Sequence, residues 1–254
     1  MDKEQEYFLA GIRNQFALCE KQGCPRFSAF LTEEQQAWIA PLIQKLAKGG
    51  FQTRFWGGYA DAARKMLGVF PDYIPVSEES FPIAAFTACF PARPAGGRAL
   101  SHRDVLGTLM AQQIKREMVG DIIVLPERAV FFLEERLRRV AETQIDAIGG
   151  VGVTVGAGFE PFEAGTRFEE VNGTLKSLRL DAAAALCAGC SREKAAAAIA
   201  AGLVSLNHIE KKEPAAPLKE GDILIIRGKG KFKLGEVGGL TRKGRLAVVF
   251  LKYL

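Results

Sequence analysis

The chain has 254 residues, 48% of them hydrophobic, and a formal net charge of +5, which leaves room for one large domain or two to three small ones. Its apolar runs, such as Asp121 to Leu125 and Leu246 to Leu251, are far shorter than the roughly 18–20 residues that cross a bilayer, so no membrane-spanning helix is expected. The acidic, polar start Met1-Asp-Lys-Glu-Gln-Glu6 lacks the basic and apolar regions of a secretory signal, and a cytoplasmic location follows as the expectation.

Five cysteines without an export signal predict reduced thiols. Cys187-Ala-Gly-Cys190 has CxxC spacing, but no second pair or nearby histidine completes a zinc set. It reads as two small residues near a helix end. Charge is divided unevenly. Lys176 to Leu254 holds 15 Lys/Arg and 7 Asp/Glu, net +8, and the first 175 residues hold 19 and 22, net −3. The last third is the part that faces polyanions.

Residues 1 to about 75 read as mostly helical. Phe8, Leu9, Ile12, Phe16 and Cys19 recur at helical spacing, and Thr32-Glu-Glu-Gln35 is a capping box for a helix through Leu46. A strand-like Phe51–Trp56 leads through Gly57-Gly58 to a further helix containing Asp61, Ala62, Arg64, Lys65 and Leu67. Pro71 to Ser80 reads as a linker.

From 81 to 158 the predicted order is β-α-β-β-α-β: strands at 83–90, 121–125, 129–133 and 150–155, and helices at 102–118 and 134–146. That order predicts a ferredoxin-like plait, an antiparallel sheet with two helices on one face. Ser101-His-Arg-Asp104 looks catalytic but has a structural use, with Asp104 reaching back to Ser101 as a capping box. A kinase reading of His102-Arg103-Asp104 needs an asparagine five positions on, where Leu109 stands, and a glycine-rich phosphate loop. Lys115 and Arg116 complement the end of this helix or, with Arg103, form a secondary RNA contact. The sheet could imitate an RNA-recognition module, but Arg128-Ala-Val-Phe-Phe-Leu133 lacks the basic-aromatic pattern. Phe131 and Phe132 point to opposite faces, so at least one belongs to the core.

From Arg179 the sequence predicts two helices, the second capped by Ser191 and closed by Gly202, then short strands at 203–207, 222–227, 231–234 and 245–251. Arg192 and Lys194 fall in the first turn of the second helix, where the helix dipole disfavours cations, which predicts an anion docking there. Lys211 and Lys212 follow. Arg227, Lys229, Lys231 and Lys233 keep period two, so on one uninterrupted strand they would share a face suited to phosphate.

"RLDAAAALCAGCSREKAAAAIAAGLVSLN" followed by "LKEGDILIIRGKGKF" resembles the S4 RNA-binding domain, a helix pair with a small antiparallel sheet. "SHRDVLGTLMAQQIKREMVGDIIV" and "FWGGYADAARKMLGVFPDYI" resemble segments of the YlmH family of bacterial RNA-binding proteins, over nearly the whole chain. The resemblance implies an α+β protein: a helical N-terminal domain (1–76), an RRM-like plait (81–158) and an S4 domain (176–254). It further implies a non-enzymatic role on the large ribosomal subunit in rescue of stalled nascent chains. The partners would be rRNA and tRNA, with no cofactor, small-molecule substrate or membrane, and the protein a monomer. Carried onto matching positions, it implies RNA contacts at Arg179, Ser191 and Arg192, with Asn207 in the matching turn. His208 departs from the family pattern, standing where a glycine commonly follows Asn207.

The alternative is an RNA-modifying enzyme targeted by the S4 domain. A pseudouridine synthase needs a catalytic aspartate in a large catalytic domain, and Asp181 lies at the start of the S4 helix. A methyltransferase needs a glycine-rich turn opening a helix, for which Gly149-Gly-Val-Gly152 and Gly156-Ala-Gly158 are the candidates. A membrane-surface role would need a basic amphipathic helix with bulky apolar residues, and none is legible.

Overall fold

The computed structural model describes residues 3–91, 99–162 and 168–253. The chain divides into two compact units, Met1–Ala164 and Gly165–Leu254.

In the first unit, α1 (Lys3–Gln22) buries Ile12, Phe16 and Cys19, the stripe expected from their spacing. Helix α2 (Glu33–Leu46) opens with the predicted box: Gln35 N–H donates to the Thr32 hydroxyl at 3.2 Å, and Thr32 N–H donates to the Gln35 side chain at 2.9 Å. Strands β1 (Arg26–Phe27), β2 (Phe51–Trp56) and β3 (Met66–Pro71) form an antiparallel sheet in the order β1-β3-β2. This corrects the expectation of a mostly helical segment. Residues 57–65 are irregular, and Leu67, assigned to a helix, lies in the central strand. Every residue of β3 is buried, and a run buried on both faces has no alternation by which periodicity could separate strand from helix. The expected linker is also packed, since Ile74 and Val76 lie against an aromatic core.

Next come β4 (Ile83–Cys89), α3 (His102–Ala111), β5 (Val119–Val124), β6 (Arg128–Glu134), α4 (Arg138–Gln144), a two-strand ribbon of β7 (Ala147–Ile148) and β8 (Val151–Gly152), and β9 (Thr154–Ala157). The sheet runs β5-β6-β4-β9 with every neighbour antiparallel. Helix α3 starts as predicted: Asp104 accepts from the Ser101 N–H at 2.8 Å and from its hydroxyl at 2.6 Å. It ends at Ala111 rather than 118, because Gln113 takes a left-handed φ of 60° that no helix continues.

Alternation along β4 and β6 fills both faces of this sheet. Phe86, Phe131 and Leu133 pack with Val105 and Leu109 of α3 and Ala141 of α4. Val130 and Phe132 point the other way, into a core with Phe30, Met66, Phe70 and Phe81. Tyr59 stacks on Phe132 with ring centroids 5.1 Å apart. Phe131 and Phe132 are both 0% exposed. The centre of the helix-free face, where an RNA-recognition module would stack bases, is therefore occupied by the protein's own N-terminal segment.

The second unit contains β10 (Phe168–Leu175), α5 (Leu180–Ala188), α6 (Arg192–Ala200), β11 (Val204–Leu206), β12 (Ile209–Glu210), β13 (Ile223–Ile226), β14 (Gly230–Leu240) and β15 (Leu246–Tyr253). All strands join one antiparallel sheet in the order β10-β15-β14-β13-β11-β12. The unit thus begins before residue 176, with β10, a strand that the sequence did not announce. β10 exposes most of its residues and pairs with β15, the last strand of the described chain, so it has neither apolar alternation nor a local partner to betray it.

Helices α5 and α6 cover one face of the sheet. Leu180, Ala183, Ile199, Val204, Phe232, Leu234 and Phe250 form the core. Alanines 182–185 are all buried, and small side chains allow the helices to approach closely. Gly189 ends α5 at φ 62°, with Cys190 N–H closing back to the Ala185 carbonyl, a left-handed cap that favours glycine.

Candidate nucleic-acid interface

Asp181, the third residue of the Arg-Leu-Asp motif, is buried at 6% exposure in the first turn of α5. Its carboxylate accepts from Arg192 at 2.6 Å and from Arg179 at 3.2 Å, and from the Ala182 N–H at 2.8 Å. Burial alone pushes this carboxyl up. Hydrogen bonds from Arg192 and Arg179, with their charges, outweigh that and hold it below its ordinary value. The anion expected at the start of α6 is therefore supplied within the fold, so Arg192 does not require a ligand to explain its place. What the pairing does is orient two guanidinium groups. Their side chains remain 42% and 52% exposed, and each group has more donors than one carboxylate can satisfy.

Ser191 caps α6, accepting from the Lys194 N–H at 3.3 Å. Lys194 lines a narrow cleft of about 160 Å³ between α6 and the β13–β14 hairpin. Ala195, Ala198, Leu203 and Ile226 form its apolar floor, and Arg227 and Lys229 stand on the hairpin side. Three predicted cations are thus gathered at one cleft. The turn 227–229, with Gly228 at φ 77°, breaks the period-two row, and this corrects the single-face expectation. Lys231 and Lys233 lie on the side of β14 opposite to buried Phe232 and Leu234, away from the helices. Lys231 sits 4.8 Å over the Tyr253 ring.

The remaining predicted residues lie elsewhere in the second unit. Asn207, at φ 50°, donates to Asp222 at 2.9 Å and accepts from the Ile223 N–H at 2.8 Å, so its side chain is spent on fastening the turn. His208 takes φ 66°, adopting the left-handed conformation that glycine ordinarily supplies there. Lys212 pairs with Glu210 at 3.4 Å. Lys211 lines a separate cleft with Pro217, Leu218 and Lys219.

A further cleft, about 370 Å³, was not anticipated. Lys176, Arg192 and Arg245 stand around Leu175, Ala182, Ala185 and Leu186. The register explains it: Leu175 of β10 faces Leu246 of β15, which brings Lys176 beside Arg245. Both were counted in the regional charge excess, but only the pairing of β10 shows that they meet.

In the first unit, Arg103 and Lys115 are exposed. Arg116 is half-buried beyond the end of α3 and donates to the Val119 carbonyl at 2.9 Å, so it does not close that helix. Beside it, Arg64 donates to carbonyls of Val119, Phe30 and Arg116. Burial pushes Arg64 down to about 10, helped by the charge of Arg116 and opposed by Asp121. Asp121 accepts from the Tyr59 hydroxyl at 2.8 Å and from the N–H groups of Ala63 and Arg64. This is a clasp that fixes residues 59–64 to β5.

The residues considered for catalysis have structural occupations. Gly149-Gly150, both at positive φ, form the two-residue turn between β7 and β8 and open no helix. Burial pushes the Cys187 thiol up to about 12, far from the thiolate that redox chemistry needs. Among the described residues, no three of His, Cys, Asp and Glu are grouped as metal ligands would be.

Residues 76–158 match the family model described as "Putative RNA-binding domain in YlmH". The chain is 27% identical over 254 residues to the "Ribosome-associated protein quality control protein P2" of Bacillus subtilis (strain 168), covering 98% of this chain and 95% of that relative. Its fold is similar to the solved "Cell division protein ylmH from Streptococcus pneumoniae", with a TM-score of 0.52 and 21% identity over 64% of this chain and 94% of that one. The full-length relative and the domain match agree with the resemblance carried by the sequence motifs: over residues 76–158 and along nearly its whole length the chain is similar to proteins of the YlmH type.

Proposed function

We propose that this protein is a non-enzymatic binder of structured RNA that contacts rRNA and tRNA on the large ribosomal subunit and acts in quality control of stalled nascent chains. The name of the Bacillus relative supports the process, and the description of the domain at 76–158 supports the ligand. One observation carries the assignment to the second unit. Arg179 and Arg192 are held by one buried carboxylate at the α5–α6 corner, and Lys194, Arg227 and Lys229 gather at the adjoining cleft. Preoriented cations suit phosphate and 2′-hydroxyl contacts on paired RNA, whose bases lie in a deep narrow groove.

On this reading the second unit is an S4 domain, extended at its start by β10. The β-α-β-β-α-β segment, with its β5-β6-β4-β9 order, is a ferredoxin-like plait. Residues 1–76 are a domain joined to the plait through the Phe30–Phe70–Phe132 core. The protein acts as a cytoplasmic monomer. Crosslinking in cells, with the attached RNA mapped nucleotide by nucleotide, tests the proposal. Crosslinks should fall in large-subunit rRNA and tRNA and be lost together when Arg227 and Lys229 are both replaced by Glu. Crosslinks confined to mRNA, or none above background, would contradict it.

A further inference from the structure

We infer that the cleft walled by Lys176, Arg192 and Arg245 is a second phosphate-binding site, so that an RNA strand straddles the α5–α6 corner with one phosphate on each side. The inference rests on the RNA-binding reading of the second unit and extends it to two residues outside the S4 motif.

Three observations carry it. The cleft draws its cations from three elements far apart in sequence: the end of β10, the start of α6 and the start of β15. The β10–β15 register brings Lys176 beside Arg245 and leaves both side chains exposed, so like charges that repel stand together where an anion can reach them. The fold also fixes the geometry. Arg245 donates to the Thr174 carbonyl at 2.9 Å, and Arg192 is anchored on Asp181 at 2.6 Å, so two of the three cations are positioned before any ligand arrives.

The third observation is adjacency. Cys190 lines both this cleft and the one bearing Lys194, Arg227 and Lys229. The two basic sites therefore lie back to back across one turn of chain. At about 370 Å³ the cleft holds the volume of roughly a dozen waters, room for a phosphate with part of its ribose. Apolar side chains at its base, Leu175, Ala182 and Leu186, suit the sugar face better than a free inorganic anion. A phosphodiester backbone is the ligand class that combines these features.

The test uses the full-length chain and purified large-subunit rRNA, with affinity measured by filter binding over a series of salt concentrations. Lys176→Gln with Arg245→Gln should weaken binding about tenfold or more near ~0.1 M salt and make the salt dependence shallower by about one to two phosphate contacts. Arg245→Lys, which keeps the charge, should stay near wild type. Arg227→Gln with Lys229→Gln should weaken binding by a similar factor, and the two pairs should combine multiplicatively. If the hairpin pair matters but the Lys176/Arg245 pair changes neither affinity nor salt slope in a chain that melts like wild type, the second site is wrong and the RNA-binding reading stands. If wild type shows no salt-dependent affinity for the RNA, both fail.

Discussion

Asp181 shows how a residue can matter for binding without touching a ligand. Its carboxylate is the common partner of Arg179 and Arg192, so Asp181→Asn should loosen both guanidinium groups at once. Removing one partner of a fully buried ion pair costs about 3–5 kcal/mol. Both arginines are about half exposed, so solvent screening lowers the expected loss to about 1–2 kcal/mol in urea unfolding.

The pH dependence has a definite sign. The folded carboxyl titrates below its ordinary value of 3.8. Its stabilisation is complete above that value and is lost as pH falls through the lower folded one. Wild type should therefore lose more stability than the Asn variant on acidification below about pH 4. Asn207→Ala should cost about 1–3 kcal/mol, because it leaves the buried Asp222 short of a donor and the Ile223 N–H without its acceptor.

At this scale the sequence was half legible. The motif marked Arg179 and Arg192 as RNA contacts, whereas Asp181 was weighed only as a catalytic aspartate. Their mutual pairing was hidden, because it depends on the turn at Gly189 bringing α6 back onto α5.

Among the elements, the loop at 57–65 bears the most specific constraint. Gly58 has φ 99°, and a Cβ there would lie 2.4 Å from the Phe132 ring. Gly58→Ala should destabilise the first unit by about 2–4 kcal/mol, combining left-handed strain with overpacking, and thermal melting measures it. Elements with amphipathic patterns or caps were readable from sequence. These include α1, α2, α5, α6, the start of α3 and the strands β4, β5 and β6.

Two strands failed for opposite physical reasons. β3 is buried throughout and so shows no alternation. β10 is mostly exposed and owes its existence to β15. The cleft of Lys176, Arg192 and Arg245 was invisible for the same reason, since Lys176 and Arg245 meet through that pairing. The hairpin at 227–229 defeated the period-two argument because Gly228 reverses the chain between Arg227 and Lys229.

For the molecule as a whole, the uneven charge remains the feature from which function follows. The net +8 of residues 176–254 resolves into distinct groups: cations at the α5–α6 corner and its two clefts, and others, such as Lys231 and Lys233, on the helix-free side of the sheet. The first group forms the proposed RNA surface. Electrostatic binding of this kind releases counterions, so affinity falls steeply with salt, by about 0.7–0.9 logarithmic units per tenfold salt for each phosphate engaged. The most direct measurement is the affinity of the full-length chain for purified large-subunit rRNA across a salt series, for wild type beside Arg227→Glu with Lys229→Glu. Tight, strongly salt-dependent binding by wild type, and a loss of about tenfold or more with a shallower slope in the folded variant, is the predicted result. Equal affinity and equal slope for the two proteins would contradict the placement of RNA on this surface.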